Sequence, residues 1–241
     1  MRTLWTYLFA IIYALYSIFP LQKVKKASKQ SLLEKEEYRD LPYAFPGKWA
    51  RKTMEKTGSK VEVHGQEKFP EGPVLVVSNH QGNFDILAIL GYLGKPVGFI
   101  SKIEVKKLPL APTWMEYMHC VFLDRKDKRQ SVQAFRTGIN YLKDGYSLVI
   151  FPEGTRSKGN VTNSFKSGSF RLATKANVPV VPVALNGTYK IMEENNNWIK
   201  PAHINIHICD PIMPEDYKDL SLDQLAELTQ SKIVEALQKQ E

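Results

Sequence analysis

The sequence predicts a three-layer α/β domain with a mainly parallel sheet, preceded by an N-terminal helical segment. Two observations carry the domain. From residue 60 onward, short runs rich in Val and Ile alternate with longer amphipathic runs, the pattern of strands crossing over through helices. Gly, Pro or Asn marks most of the junctions. A third observation carries the segment: residues 4–19 hold no charge, and lysines crowd in behind them.

That first run is rich in Trp and Tyr, which favour the membrane interface. As a helix it reaches about 24 Å, short of the ~30 Å hydrocarbon core. Pro20 is expected to end it. Three readings stand open: a cleaved signal, a short tilted span, or a segment lying in one leaflet with residues 32–54 as the other half of a hairpin. No small-x-small cleavage site follows. Lys23, Lys25, Lys26 and Lys29 suit anionic headgroups, so membrane attachment is preferred. Residues 27–47 read as a linker or a broken surface helix, and residues 48–56 as a short basic helix. The expected division is 1–58 for the membrane-associating segment and linker, and 59–241 for the catalytic domain.

Strands are expected at 61–64 and 74–77. A helix at 84–93 follows, with Asn83 as its cap and Gly94 as its stop. Strands at 96–100 and 120–123 flank an irregular stretch. Ser131 is expected to cap a helix running to Asp144, with Val132, Phe135, Ile139 and Leu142 on its apolar face. A strand at 147–151, a helix at 167–176 ending on Asn177, and strands at 180–185 and 203–208 complete the pattern. Ser221-x-x-Gln224 is a capping box that opens a helix burying Leu222, Leu225, Ile233, Ala236 and Leu237.

The length of 241 residues suits one domain with an appendage. The two cysteines, Cys120 and Cys209, make neither a metal spacing nor a disulfide framework and fit a reducing compartment. The net charge of +8 invites an anionic partner. Five cations and no acid fall within the first 30 residues, beside the apolar run. That placement favours an anionic membrane surface over nucleic acid.

The chemistry centres on residues 79–85, Asn-His-Gln-Gly-Asn-Phe-Asp. His80 and Asp85 cannot share a face of a regular helix or strand at this spacing. A turn at Gly82 and Asn83 brings them together. Asp85 then lies in the first helical turn, where the dipole favours its charge. An imidazole oriented by a carboxylate is a base that can activate a hydroxyl. Residues 151–157, Phe-Pro-Glu-Gly-Thr-Arg-Ser, also follow a strand. Gly154 permits close backbone approach, and Arg156 offers a planar fork for phosphate. Glu153 is placed to hold Arg156 or to bind a ligand hydroxyl. Lys102 and Arg125 follow two further strands. Ligands of open α/β sheets bind beyond strand carboxyl ends. Three cations there, beside a His–Asp pair, describe a base next to an anion site.

No Gly-x-Ser-x-Gly, Walker loop or Gly-x-Gly-x-x-Gly is present. His203 and His207, four strand residues apart, stand about 13 Å from each other, too far for one ion.

Residues 78–85 (SNHQGNFD), 121–125 (VFLDR), 151–157 (FPEGTRS) and 178–185 (VPVVPVAL) resemble, in order and spacing, the four blocks of the glycerolipid acyltransferases. The bacterial 1-acyl-sn-glycerol-3-phosphate acyltransferases are the nearest in pattern. The resemblance covers about residues 60–215 and implies that family's fold. It implies acyl transfer from acyl-CoA or acyl-carrier protein to the sn-2 hydroxyl of lysophosphatidic acid, giving phosphatidic acid. On this reading His80 is the general base and Asp85 its orienting carboxylate, the HX4D motif. Phe122 and Arg125 match the second block. Glu153, Gly154, Thr155 and Arg156 match the third, assigned to the acceptor. Pro182 matches the fourth, and Lys102 stands where many relatives have a phosphate-binding Lys. His119 occupies a position where many relatives carry Gly. The resemblance implies no metal and no cofactor beyond the thioester co-substrate. It also places the protein at the cell membrane, on the cytoplasmic side, through its N-terminus. Alternatives are transfer to another lysolipid, an ornithine lipid or glycerol-3-phosphate, or a non-catalytic lipid-binding role.

Overall fold

The structure is a computed structural model and describes residues 1–239. Seven strands form one sheet in the order β1-β7-β6-β2-β5-β3-β4. They are β1 (Lys60–His64), β2 (Leu75–Ser78), β3 (Gly98–Lys102), β4 (Val121–Leu123), β5 (Leu148–Ile150), β6 (Val180–Asn186) and β7 (His203–Ile208). Every pairing is parallel except β6 with β7. The mainly parallel sheet expected from the sequence is therefore present.

β2 shows why the architecture has three layers. All four of its residues are buried, as a strand covered on both faces must be. Val74 and Val76 pack with Ala88, Ile89 and Leu93 on one face. Leu75 and Val77 pack with Leu142, Leu172 and Leu225 on the other. The first face is covered by helix α4 (Asp85–Tyr92), and by α3 (Leu41–Thr57) packed upon it. The second is covered by α6 (Lys128–Lys143), α7 (Arg171–Ala176), α8 (Pro214–Tyr217) and α9 (Leu222–Gln238). Each buried Val or Leu contributes about 1.5–3 kcal/mol. The capping box at Ser221 and the left-handed Asn177 appear as expected.

Four local expectations change. α6 starts at Lys128 because Asp127, not Ser131, accepts the amides of Arg129 and Gln130, at 2.8 and 3.0 Å. Ser131 instead donates to the Asp124 carbonyl, and Val132 faces solvent. α5 (Ala111–Tyr117) occupies part of the stretch expected to be irregular. α3 begins at Leu41, seven residues before the short helix expected from Lys48. Pro42 lies in its first turn, where a missing N–H is harmless, and burial of Tyr43, Ala50 and Met54 outweighs the bond lost at Pro46. Tyr43 and Met54 thus join the main core from ahead of residue 59.

Pro20 does not end the N-terminal run. α1 (Arg2–Tyr16) breaks at Ser17, and α2 (Ile18–Lys29) takes Pro20 into its own first turn. α1 is inverted in polarity. Thr6 and Ser17 point inward, Thr6 donating to the Lys56 carbonyl and Ser17 accepting from the Trp114 indole. Leu4, Leu8, Ile11, Ile12 and Leu15 face outward and are exposed.

His119 has a φ of 56°, in the region that favours glycine. The loop therefore keeps a glycine-like shape without the glycine. Its ring stacks on Tyr146 at 3.5 Å between centroids. Burial, helped by Arg39 and opposed by Asp144, pushes its pKa down to about 4. Between pH 6.5 and about 4 the unfolded chain binds a proton here that the folded chain does not. Stability is lost as pH falls through that window. His119→Asn, which tolerates the same φ, should show a smaller drop in unfolding midpoint from pH 7 to pH 4.5 than the wild type. An equal drop in both proteins would contradict this account.

Candidate active site

The carboxyl ends of β2, β5, β3 and β4 lie along one sheet edge, and β6 runs parallel to β2. β2 sends its chain toward β3 and β5 sends its chain toward β6, so a crevice opens between them. Asn79 stands at the end of β2. Its side chain donates to the Leu185 carbonyl at 2.9 Å and accepts the Leu185 amide at 2.8 Å. A side chain thereby extends the β2–β6 ladder by one residue, and His80 is set at a fixed height.

His80 is held by four contacts. Its amide donates to Glu153 Oε1 at 2.6 Å, and its carbonyl accepts the Ser157 amide at 2.8 Å. Its ring stacks on Phe151 at 4.2 Å. Its Nδ1 lies 2.6 Å from Asp85 Oδ2. The His80 side chain is 18% exposed and the Asp85 side chain 0%. Nε2 has no hydrogen-bond partner among the described residues, so it is the nitrogen free to take a proton.

Asp85 is the first residue of α4. Its Oδ2 also accepts the Gly82 amide at 2.9 Å, and its Oδ1 accepts the Thr188 hydroxyl. Asn83 does not cap the helix. Phe84 occupies that position without a side-chain bond, and Asp85 itself turns back onto the Gly82 amide. A buried carboxylate has the greater need of a donor. Asn83 Oδ1 accepts instead from Arg156 Nη1.

Glu153 braces His80 rather than Arg156. Its second oxygen accepts the backbone and side-chain N–H groups of Asn163 at 2.9 and 2.8 Å. Burial pushes its carboxyl pKa up, and the donated hydrogen bonds oppose that rise. Gly154, at φ 72°, offers its carbonyl to Arg125. A Cβ there would stand 2.7 Å from Lys166 Nζ. Thr155 is exposed at the tip of this loop.

Hydrogen bonds thus tie His80, Asp85 and Glu153 together and fasten Arg125 and Arg156 to the same two loops. Lys102 ends β3 at the same edge, exposed, and its ammonium forms no ion pair among the described residues. The sequence reading missed Thr188, Asn163, Lys166 and Glu193. Thr188 had a signal: Asn186-Gly-Thr188 closes β6, whose carboxyl end lies beside that of β2. His203 is exposed and bonds Glu62 at 2.9 Å, as a solvated strand face does. Cys120 and Cys209 are buried and unpaired.

A cavity of about 290 Å³ lies beside the crevice. Phe45, Trp49, Ile86, Leu90, Ile100 and Trp114 are among its walls. Ile86 directly follows Asp85. The arrangement offers an oriented base, a cluster of cations and an adjoining apolar chamber.

A family model described as Acyltransferase matches residues 60–186. The chain is 38% identical over 180 residues to the chloroplastic 1-acyl-sn-glycerol-3-phosphate acyltransferase of Arabidopsis thaliana, covering 74% of this chain and 49% of that protein. It is 34% identical over 177 residues to a probable 1-acyl-sn-glycerol-3-phosphate acyltransferase of Mycoplasma genitalium, covering 68% and 66%. The matches therefore span about half to two thirds of these relatives' own lengths. The crystal structure of the 1-acyl-sn-glycerophosphate acyltransferase of Thermotoga maritima superposes with a TM-score of 0.79 at 27% identity, over 100% of this chain and 98% of that one.

Thr188 is fully buried, and its hydroxyl is the sole donor to Asp85 Oδ1 among the described residues. Thr188→Val should destabilise the fold by about 1–3 kcal/mol, the cost of leaving a buried acceptor unpaired. Urea unfolding measures this, and an unchanged midpoint would remove Thr188 from the site.

Proposed function

The chain belongs to the acyltransferase family, and from that premise we propose that it makes phosphatidic acid for phospholipid biosynthesis. It does so by moving a fatty acyl group from acyl-CoA or acyl-carrier protein to the sn-2 hydroxyl of 1-acyl-sn-glycerol-3-phosphate. The observation that carries this reading is the His80–Asp85 pair, with Nε2 free, set among Arg125, Arg156 and Lys166.

Neutral His80 takes the proton of the acceptor hydroxyl at Nε2. The oxygen attacks the thioester carbonyl, and the C–S bond breaks as the new ester forms. The thiolate leaves and receives the proton from the imidazolium. Asp85 holds the proton on Nδ1 and stabilises the imidazolium between the two transfers. Arg125 and Arg156 meet the acceptor's phosphate, with Lys102 at the rim of the same edge. The acceptor and the donor's acyl chain call for an apolar chamber, and the cavity under Ile86 supplies one. The reaction as written asks for no cofactor beyond the thioester co-substrate.

The lipid substrate places the enzyme at a membrane. The residues from Arg2 to Lys29 are long and apolar enough for membrane contact, and only 17% of their most apolar stretch is buried. α1 turns its polar residues to the protein and its apolar residues out, the reverse of a soluble surface helix. The lysines of α2 favour an anionic leaflet, and soluble thioester donors favour the cytoplasmic side.

His80→Ala should lower the turnover of lysophosphatidic acid by ~10²–10⁴, read as thiol release. Near-wild-type release would sink the mechanism. Leu8→Asp with Ile12→Asp alters two exposed positions of α1. This variant should stay in the aqueous fraction when the wild type floats with anionic vesicles, and co-flotation would argue against membrane contact through α1.

A further inference from the structure

We propose that Glu193 is a positioning residue for Arg156: it holds the guanidinium from behind so that its free nitrogens face the acceptor's phosphate. The proposal deepens the reading above and rests on it for the identity of the anion.

Glu193 opens a short turn after β6, Glu193–Asn195. Its side chain is 4% exposed, while that of Arg156 is 37% exposed. Oε1 accepts the Asn83 amide at 2.7 Å and stands 3.6 Å from Arg156 Nη1. The same Nη1 donates to Asn83 Oδ1. One guanidinium nitrogen is therefore held on the protein side by one hydrogen bond, to Asn83, and one ion pair, to Glu193. Nε and Nη2 have no partner among the described residues. Two free nitrogens on one planar edge are the fork that grips a phosphate bidentately.

Beyond the Asn83 amide, no other hydrogen bond to the Glu193 side chain is made among the described residues. Oε2 is buried. Arg156 is the cation that the structure pairs with this carboxylate, and a buried charge without its pair is costly. The seat is built for it. A Cβ on Gly82 would lie 2.6 Å from Oε2, so the glycine of the catalytic turn is also the space for this carboxylate. The turn is anchored as well. The Met192 carbonyl accepts the amides of Asn195 and Asn197, each at 3.1 Å, and the Tyr7 hydroxyl donates to Met192 Sδ at 3.2 Å.

The test is steady-state kinetics on the full chain with lysophosphatidic acid and acyl-CoA. Glu193→Gln keeps the shape and an acceptor for the Asn83 amide but removes the charge. It should raise the acceptor KM about tenfold and leave the donor KM unchanged. In an Arg156→Ala background it should add less than about twofold, because the partner through which it acts is gone. Equal rises in both KM values, no rise, or additive losses in the double variant would overturn the proposal. If Glu193→Gln does not fold, Glu193→Asp replaces it. An intermediate acceptor KM is then expected, and a wild-type KM overturns the proposal. Calorimetric binding of glycerol 3-phosphate gives a readout independent of acyl transfer. Binding by the wild type and about tenfold weaker binding by Glu193→Gln supports the role; equal binding, or none by the wild type, overturns it. Binding by the wild type and about tenfold weaker binding by Glu193→Gln, with no acylation of lysophosphatidic acid by the wild type, would refute the functional reading and leave the Glu193–Arg156 pairing supported.

Discussion

A carboxylate with no exposure to water organises this molecule. Asp85 sits at the start of α4, and an ionised carboxylate buried there would be unfavourable by several kcal/mol without donors. It has three. The His80 ring comes from the end of β2, the Gly82 amide from the turn, and the Thr188 hydroxyl from the end of β6. The helix N-terminus adds its own positive end. Satisfying one charge therefore requires two strands and a helix to meet in a single register. The Asn79 side chain on Leu185 enforces the same register from below.

Glu153 applies the same logic on the other side of His80. Both carboxylates are buried, and both spend an oxygen on the one histidine, Asp85 on the ring and Glu153 on the amide. The ring can neither turn nor retreat, and Phe151 closes one of its faces. Orientation here is produced before any substrate arrives, which is how a site lowers the cost of aligning reacting groups. The cations differ in how firmly they are held. Arg125 and Arg156 are fastened to the loops beside His80, whereas Lys102 stands free in solvent at the end of its strand.

The N-terminal helices complete the same plan from the apolar side. α3 packs on α4, and α1 lies along α3 with the Trp49 indole donating to the Ala10 carbonyl at 3.0 Å. Phe45 and Trp49 of α3 wall the cavity that begins beside Ile86. An oriented imidazole, a cluster of cations and an apolar chamber thus adjoin one another. The outward face of α1 continues that apolar character to the surface of the molecule.

Short-range patterns determined much of this in advance. Apolar runs marked all seven strands, Ser221-x-x-Gln224 marked the start of α9, and Asn177 marked the end of α7. His80 and Asp85 were legible because five residues and a Gly-Asn turn suffice to bring them together. Prolines and caps misled wherever packing had the stronger claim. Pro20 and Pro46 sit inside helices, Asp127 displaced Ser131, and Asp85 took the donor that Asn83 was expected to hold. Thr188 lies 103 residues from Asp85, and Glu193 lies 110 residues from Asn83. No periodicity reaches that far, because side-chain patterns report neighbours within a turn or a strand pair. Which distant donor satisfies a buried charge is decided only when the sheet assembles and brings the strand ends to one edge.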